Sequence, residues 1–392
     1  MAAEVATTGN LSGRAERKLR LLYIAPDVVL DLPAALSEYF EGDYIGTWLK
    51  SDAPDAAEDL ARIRASFGDF TFHPRPRPQN KGLFSKVEEL VFYVRKGVEL
   101  ARTHKKYDVV VTYSPFRTGI AAILIQWLTG IPAIIEFPSN PASVFSRAPG
   151  MSGRLRNTLA PWIARIVARL SSGIMILFPW QVDALRISSR VPRYLVHAFV
   201  RTKTGVVATR TDDYVLLVGK PWAAKGADIL LNGFLRITDQ HPTVTLVIAG
   251  SDEDAGWLKA MVPAGARVEF LGRMPHDDIL SLVAGCRVFA LPSWTEGTPR
   301  TIIEAYSCAR PVLATRTDGI PYVVRQDETG ELVTLGSDKE VGEALHRLLS
   351  NPERAAALGR NGEELARVEF SAKRVARMWY DAVTASLATR RS

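Results

Sequence analysis

The sequence predicts an α/β chain built from two doubly wound parallel-sheet domains in tandem. Three observations predict it. The chain has 392 residues, and at about 150 residues per domain that length holds two domains, or three. Short apolar runs without polar alternation recur from about residue 20 onward, as in strands buried on both faces. Helical patterns separate those runs, and strands alternating with helices build parallel sheets covered on both sides.

The elements follow in order. Residues 1–18 are polar, lack an apolar signal region and read as a flexible tail. Leu19–Ala25 is an apolar run ending at Pro26, as a buried parallel strand would. The stretch His73-Pro-Arg-Pro-Arg-Pro78 predicts an extended, polyproline-like loop, because each proline ring fixes φ. It carries Arg75 and Arg77, either as a recognition loop or as a solvated connector. Leu83–His104 reads as an amphipathic helix, Val109–Val111 as a strand, and Ser114-Pro115 as a turn into an apolar helix from about Thr118. Gly119 to Phe137 comes nearest to a membrane span, which takes about 20 mostly apolar residues. Gln126, Trp127, Thr129, Gly130 and Pro132 interrupt it, so it reads as a buried helix, a turn and the buried strand Ala133–Phe137. Leu155–Leu170 predicts an amphipathic helix with Arg156, Arg165 and Arg169 among apolar residues, and Gly173–Leu177 and Tyr194–Ala198 are two more strands.

Arg201–Asp213 is polar with little periodicity and marks the domain linker. The alternation then restarts. Tyr214–Val218, Thr245–Ala249, Val268–Phe270, Val288–Leu291, Val312–Thr315 and Glu331–Val333 read as strands, with helices between them such as Asp228–Gln240 and Arg300–Cys308. Ser371–Leu387 reads as a packing helix, with Val375, Met378, Trp379 and Val383 at helical spacing. The expected division is the tail, a domain over 19–205, a domain over 206–370, and a C-terminal helix over 371–392 packing back toward the first domain. Two doubly wound domains in tandem place a crevice between them, and ligands of open parallel sheets sit beyond the carboxyl ends of the strands.

Composition narrows the function. A chain that is 47% hydrophobic and 23% charged, with 28 Gly and 23 Pro, is neither disordered nor collagen-like. Its two cysteines, Cys286 and Cys308, cannot build a disulfide framework or a Cys-rich zinc site. They read as small core residues and fit a reducing, cytoplasmic compartment. The net charge is +7. Residues 1–205 hold 27 basic and 18 acidic side chains, and residues 206–392 hold 22 and 24. The surplus therefore belongs to the first half, where nucleic acid, an anionic membrane surface or a phosphorylated substrate would match it, as would a merely solvated surface. His73, His104, His197, His241, His276 and His346 are scattered without metal-ligand spacing.

Two constellations carry chemistry. In the first, Gly219-Lys220 and Lys225-Gly226 follow a strand and open a helix. Gly219 permits a close turn, and the two ammonium groups stand near a helix N-terminus that already favours anions. In the second, Glu296-Gly297-Thr298-Pro299-Arg300-Thr301-Ile-Ile-Glu304 also joins a strand to a helix. Pro299 suits the first helical turn, and Glu304 sits among apolar neighbours, where a carboxylate needs a specific partner. Two carboxylates eight residues apart are also the ingredients of a hydrolase acid/base pair, but an anion-binding helix start bracketed by them suits a nucleotide sugar better.

With these residues on view, positions 214–370 resemble the C-terminal domain of the GT-B fold glycosyltransferases, family four. The family's E-x7-E pair matches Glu296 and Glu304, and its Gly-Arg-x4-Lys-Gly loop matches Gly219, Lys220, Lys225 and Gly226, with Lys at 220 for Arg. Phe270-Leu-Gly272-Arg273, Pro292-Ser293 and Pro311-Val312 also stand where the family has them. The first half resembles the family only in its alternating pattern.

The resemblance implies two Rossmann-like domains facing a cleft, and retaining transfer of a sugar from a nucleotide-diphosphate sugar without a bound metal or other cofactor. It assigns Lys220 and Lys225 to the diphosphate, Glu304 to the ribose hydroxyls and Glu296 to hydroxyls of the donor sugar and the cationic transition state. Gly219, Gly297, Thr298, Arg300 and Thr301 would add loop and backbone contacts, and Arg273 and Met274 would face the base. The acceptor it implies is a glycan or lipid-linked glycan. The chain would then act in polysaccharide or glycoconjugate biosynthesis, peripheral on the inner face of a membrane, with Arg154, Arg156, Arg165 and Arg169 against an anionic bilayer or simply solvated.

Three positions depart from the family pattern. Pro138 in Glu136-Phe-Pro-Ser139-Asn140 stands where many members carry a His. Ala25-Pro-Asp27 replaces a Gly-Gly loop, and Tyr322 replaces a Glu after Gly-Ile-Pro. These departures motivate a second reading, a non-catalytic nucleotide-sugar-binding or scaffold subunit. A nucleic-acid-binding protein rests on charge alone and lacks a stacking platform or a recognised motif.

Overall fold

The computed structural model describes residues 17–26, 31–47, 66–75, 83–103, 106–141, 150–200, 205–210, 212–250 and 256–389. The chain forms two compact units, Met1–Phe199 together with Ala372–Ser392, and Val200–Ser371. Residues 1–16 of the expected tail, His104, Arg77, the Asp27 position and Arg201 lie outside the described residues.

The first unit carries β1 (Leu19–Ile24), α1 (Leu32–Leu36), β2 (Phe40–Thr47), β3 (Phe70–Arg75), α2 (Leu83–Thr103), β4 (Val109–Tyr113), α3 (Arg117–Thr129), β5 (Ala133–Glu136), α4 (Gly150–Leu170), β6 (Gly173–Ile176) and β7 (Arg193–Leu195). Its seven strands are ordered β3-β2-β1-β4-β5-β6-β7, paired in parallel throughout. Alternate strand residues face opposite sides. Leu22, Ile24, Val110 and Ile135 point into a core shared with α2, α3 and α4. Leu21, Tyr23, Val109 and Val111 point into a core shared with α1.

The second unit carries β8 (Tyr214–Val218), α5 (Ala227–Leu235), β9 (Thr245–Ala249), α6 (Gly256–Lys259), β10 (Val268–Leu271), α7 (His276–Gly285), β11 (Val288–Leu291), α8 (Arg300–Ser307), β12 (Val312–Thr315), α9 (Ile320–Val323), β13 (Gly330–Val333), α10 (Asp338–Ser350) and α11 (Pro352–Glu369). Its six strands are ordered β10-β9-β8-β11-β12-β13, also parallel. The last helix, α12 (Ala372–Thr389), belongs to the first unit. There Val375, Trp379 and Val383 enter the core, and the Trp379 ring meets Tyr23 edge-on at 5.4 Å.

Several expectations are corrected. The proline-rich segment is not a loop up to Arg75: Phe70–Arg75 pairs with β2 as the sheet's edge strand. An edge position tolerates Pro74, because the ladder does not need its missing N–H. Arg75 is neither a recognition residue nor solvated. It is 7% exposed, lies 3.3 Å from Glu89 and donates to the Ser85 carbonyl at 3.1 Å. The helix expected over Asp228–Gln240 ends at Leu235. Cys286 is buried, and burial pushes its thiol up to about 12, whereas Cys308 is half-buried at the rim of the core. The sequence pattern did not anticipate β2, whose run FEGDYIGT is broken by polar residues and glycines, nor α10 and α11.

Candidate functional site

In the second unit the strand order reverses between β8 and β11. The loops that leave these two strands therefore diverge to opposite sides, and open parallel sheets bind ligands at such a point. Both sequence constellations lie here.

The loop after β8 runs from Gly219 to Gly226. Gly219 has φ +146, and a side chain there would press on Lys225, 3.1 Å from its Cε. Gly226 has φ +68 and opens α5. A Cβ at Gly226 would collide with the Pro292 carbonyl oxygen, so glycine lets the two loops touch backbone to backbone. A hydrogen bond from the Trp294 N–H to the Ala224 carbonyl, 2.9 Å, latches them together.

The loop after β11 is held from several sides. Thr315 Oγ1 donates to the Ser293 carbonyl at 2.5 Å, and Thr295 Oγ1 donates to Asp318 at 2.6 Å. The Gly319 N–H donates to the Glu296 carbonyl at 3.2 Å. Within this frame Lys225 Nζ donates to Glu296 Oε1 at 2.5 Å. Ser293 Oγ, fully buried, donates to the same oxygen at 2.9 Å. The carboxylate is thus neutralised by one cation and oriented by one hydroxyl.

Glu304 lies in α8, whose Ile302, Ile303, Ala305 and Tyr306 anchor it in the core. Its carboxyl is buried, and burial pushes it up to about 7, with Arg300 pulling the other way. His276, at the start of α7, brings Nε2 to 3.8 Å from Glu304 Oε1. That distance is beyond a hydrogen bond, and the imidazole is half-exposed.

The structure therefore brings Lys225, Glu296 and Ser293 together, and places Arg300 and His276 beside Glu304. Lys220 is exposed and forms no ion pair with another described residue. Arg273 is exposed, and Met274 packs against the core from the turn that leads into His276. Gly297 is buried, while Thr298 and Thr301 are half-buried on either side of Pro299, the N-cap of α8. In the sequence His276 is one of six scattered histidines. Its closeness to Arg273 and Met274 was the available signal. Ser293 stands in the sequence as part of the Pro292-Ser293 motif, and nothing local shows that its hydroxyl turns toward a residue three positions on.

In the first unit, Pro138, Ser139 and Asn140 are half-buried after β5. The buried Gln181 side chain pins this turn, donating to the carbonyls of Phe137 at 2.6 Å and Ser139 at 3.0 Å. Among the described residues no three His, Cys, Asp or Glu side chains cluster as metal ligands, and no helix is long and apolar enough to cross a membrane.

Chemically, the second unit offers a cation, two carboxylates and a helix start at one end of a parallel sheet. A ligand that joins anionic oxygens to a hydroxyl-bearing ring fits that set.

Comparison with known proteins agrees. The family described as "Glycosyl transferases group 1" matches residues 212–351. The chain is similar to the alpha-D-kanosaminyltransferase of Streptomyces kanamyceticus, 24% identical over 88% of this chain and 83% of that protein. It is also similar to a GDP-mannose-dependent monoacylated alpha-(1-6)-phosphatidylinositol monomannoside mannosyltransferase of Corynebacterium glutamicum. There the identity is 33%, over 38% of this chain and 40% of that protein. Among solved structures, Anabaena HepE in complex with UDP-glucose superposes with a TM-score of 0.70 at 15% identity, covering 95% of this chain and all of that one. The sucrose-phosphate synthase of Thermosynechococcus elongatus gives a TM-score of 0.74 at 18% identity, covering 95% of this chain and 99% of that one. These likenesses carry the two-domain GT-B fold.

Proposed function

Residues 212–351 match the family described as "Glycosyl transferases group 1", and from that match we propose that this chain moves a hexosyl unit from a nucleotide-diphosphate sugar to a glycan or lipid-linked glycan. In this reading the configuration at the anomeric carbon is retained and no metal is bound. The observation that carries the reading is the Lys225–Glu296 contact, which sets a cation and a carboxylate side by side at the strand reversal.

Charge builds on the diphosphate as the glycosidic bond breaks, and a fixed cation there lowers the barrier. Lys225 supplies it, with Lys220 as a second, exposed ammonium. The N–H groups of Arg300 and Thr301 open α8 and favour the same anion. Glu296, steadied by Ser293, accepts hydroxyls of the donor sugar and faces the positive charge that develops on the sugar ring. Glu304 accepts ribose hydroxyls once ionised. Arg273 and Met274 line the approach to the base. The two lysines give the diphosphate its countercharge without a divalent ion. Retention rests on the resemblance carried by Glu296 and Glu304.

The chain would serve polysaccharide or glycoconjugate biosynthesis, in the cytoplasm and peripheral on the inner face of a membrane. One relative's printed name includes a phosphatidylinositol monomannoside, which supports a lipid-linked acceptor. A second reading, a nucleotide-sugar-binding subunit without turnover, is favoured by Pro138 and the pinned turn around it.

A thermal-shift screen of UDP-, GDP- and ADP-sugars tests the donor site. A ligand at 100 times its dissociation constant adds about 2.7 kcal/mol of stability. A flat response to every donor overturns the proposal. Binding with neither transfer nor donor hydrolysis selects the second reading.

A further inference from the structure

The first unit has an outer surface that the transfer chemistry does not use. Helix α4 buries Ala160, Ala164, Val167 and Ala168 against the sheet. Its opposite side is apolar as well. Leu155, Leu159, Trp162, Ile166 and Leu170 are all exposed, and their spacing of four, three, four and four draws one stripe along the helix. Trp162 is 59% exposed.

The stripe continues onto α3. Gln126 Nε2 donates to the Leu170 carbonyl at 2.9 Å, which ties the end of α3 to the end of α4. The next two residues, Trp127 and Leu128, are 62% and 57% exposed. Phe84, Val87 and Val91 of α2, on the same face of the sheet, are exposed too. Ten of the sixteen large exposed apolar residues among the described ones thus lie on three helices that cover one sheet face. Scattered exposure needs no explanation, but a contiguous patch marks an interaction surface.

Charge says what covers it. The α4 sequence GMSGRLRNTLAPWIARIVARL holds four arginines and no acidic residue. Arg156 and Arg169 are exposed near its two ends. The Arg165 guanidinium stacks over the Trp162 ring at 4.8 Å and donates to the Leu185 carbonyl at 2.6 Å, so its charge rides at the edge of the stripe. Along α3 the only ionic side chain is Arg117. An apolar stripe with tryptophans, on two helices that carry arginines and no acidic residue, matches a headgroup boundary, where apolar side chains enter the acyl region and arginines meet lipid phosphate. A protein partner would need a matching apolar face with acidic residues around it. A lipid surface supplies both features without specific shape.

We infer that the outer face of α3 and α4 docks on an anionic lipid bilayer, with Trp127, Trp162 and Ile166 inserted and Arg156 and Arg169 on the headgroups. This assigns a surface to the peripheral placement proposed above and rests on that placement.

The test is co-sedimentation of the full chain with vesicles of phosphatidylcholine, with and without phosphatidylglycerol, at low and high salt. Binding is expected only with the anionic lipid, and weaker at high salt. Trp162→Ser/Ile166→Ser should lower partitioning about tenfold or more. Arg156→Glu/Arg169→Glu should lower it about fivefold or more per residue at low salt. Val207→Ser, an exposed apolar residue of the other unit, should bind like the wild type. Circular dichroism melts confirm that each variant is folded, and hydrolysis of a water-soluble donor should be unchanged in all of them. No binding by the wild type overturns the peripheral placement and the inference together. Binding that the α4 variants leave intact overturns the assigned surface alone. So does a concentration-dependent dimer that the Trp162→Ser/Ile166→Ser variant abolishes, because a second copy would then be the occupant.

Discussion

Lys225 and Glu296 are 71 residues apart in sequence, yet the lysine ammonium donates to the glutamate Oε1 at 2.5 Å. Ser293 donates to the same oxygen. A diphosphate that draws on the Lys225 charge therefore competes with Glu296, and the two residues act as one unit.

Lys225→Ala and Glu296→Gln should each lower kcat/KM for donor turnover by about a hundredfold or more. Because the residues act together, the double variant should cost little more than the worse single one. Steady-state kinetics on the four proteins check this. Fully additive losses would separate the two roles.

Glu304 gives a pH dependence with a definite sign. Burial raises its carboxyl to about 7 in the folded chain, above the ordinary carboxylate value of about 4.3. The folded state therefore holds the proton more tightly than the unfolded one. The associated stability is fully present below the ordinary value and is lost as pH rises through about 7, a change on the order of 3 kcal/mol. Urea unfolding at pH 5 and pH 8 should show this loss in the wild type and a smaller one in Glu304→Gln. Donor affinity should move the other way and strengthen through pH 7, because only the ionised carboxylate accepts two hydroxyls.

Gly226→Ala tests the contact between the two loops. The variant must hold φ +68 with a Cβ against the Pro292 carbonyl. The left-handed backbone alone costs about 1–2 kcal/mol, and the collision adds to it. A loss of about 2 kcal/mol or more in urea unfolding is expected, with weaker donor binding as the β11 loop is pushed away. A wild-type midpoint would mean that the loops part easily.

Arg75→Ala separates stability from function. Its loss leaves Glu89, 6% exposed, with Arg117 at 3.2 Å as its remaining ion-pair partner. A destabilisation of about 2 kcal/mol is expected, with unchanged vesicle binding. Lost vesicle binding in a folded Arg75→Ala protein would restore this residue as a recognition element.

The legible part of the fold is what repeats locally. Apolar runs such as Tyr214–Val218 and Val288–Leu291 appear where the sequence places them, because a strand buried on both faces has no polar positions. Strand β2 was illegible, since its polar and glycine positions are paid for by pairing with β1 and β3. The proline-rich segment misled for the same reason. Only its place at the sheet edge makes Pro74 acceptable.

The alternation of strands and helices, the two loops that carry Lys225 and Glu296, and the uneven distribution of charge are all written in the order of residues along the chain. These depend on residue type and spacing along the chain. Which groups meet follows only from the folded chain. It sets Ser293 and Lys225 on one carboxylate oxygen and brings His276 toward Glu304. It also turns Arg75 inward and leaves the apolar side of α4 uncovered. A helical pattern gives two apolar sides equal weight, and only the sheet packed against one of them makes the other a surface. Contacts between distant residues depend on strand order and register, which no local spacing encodes.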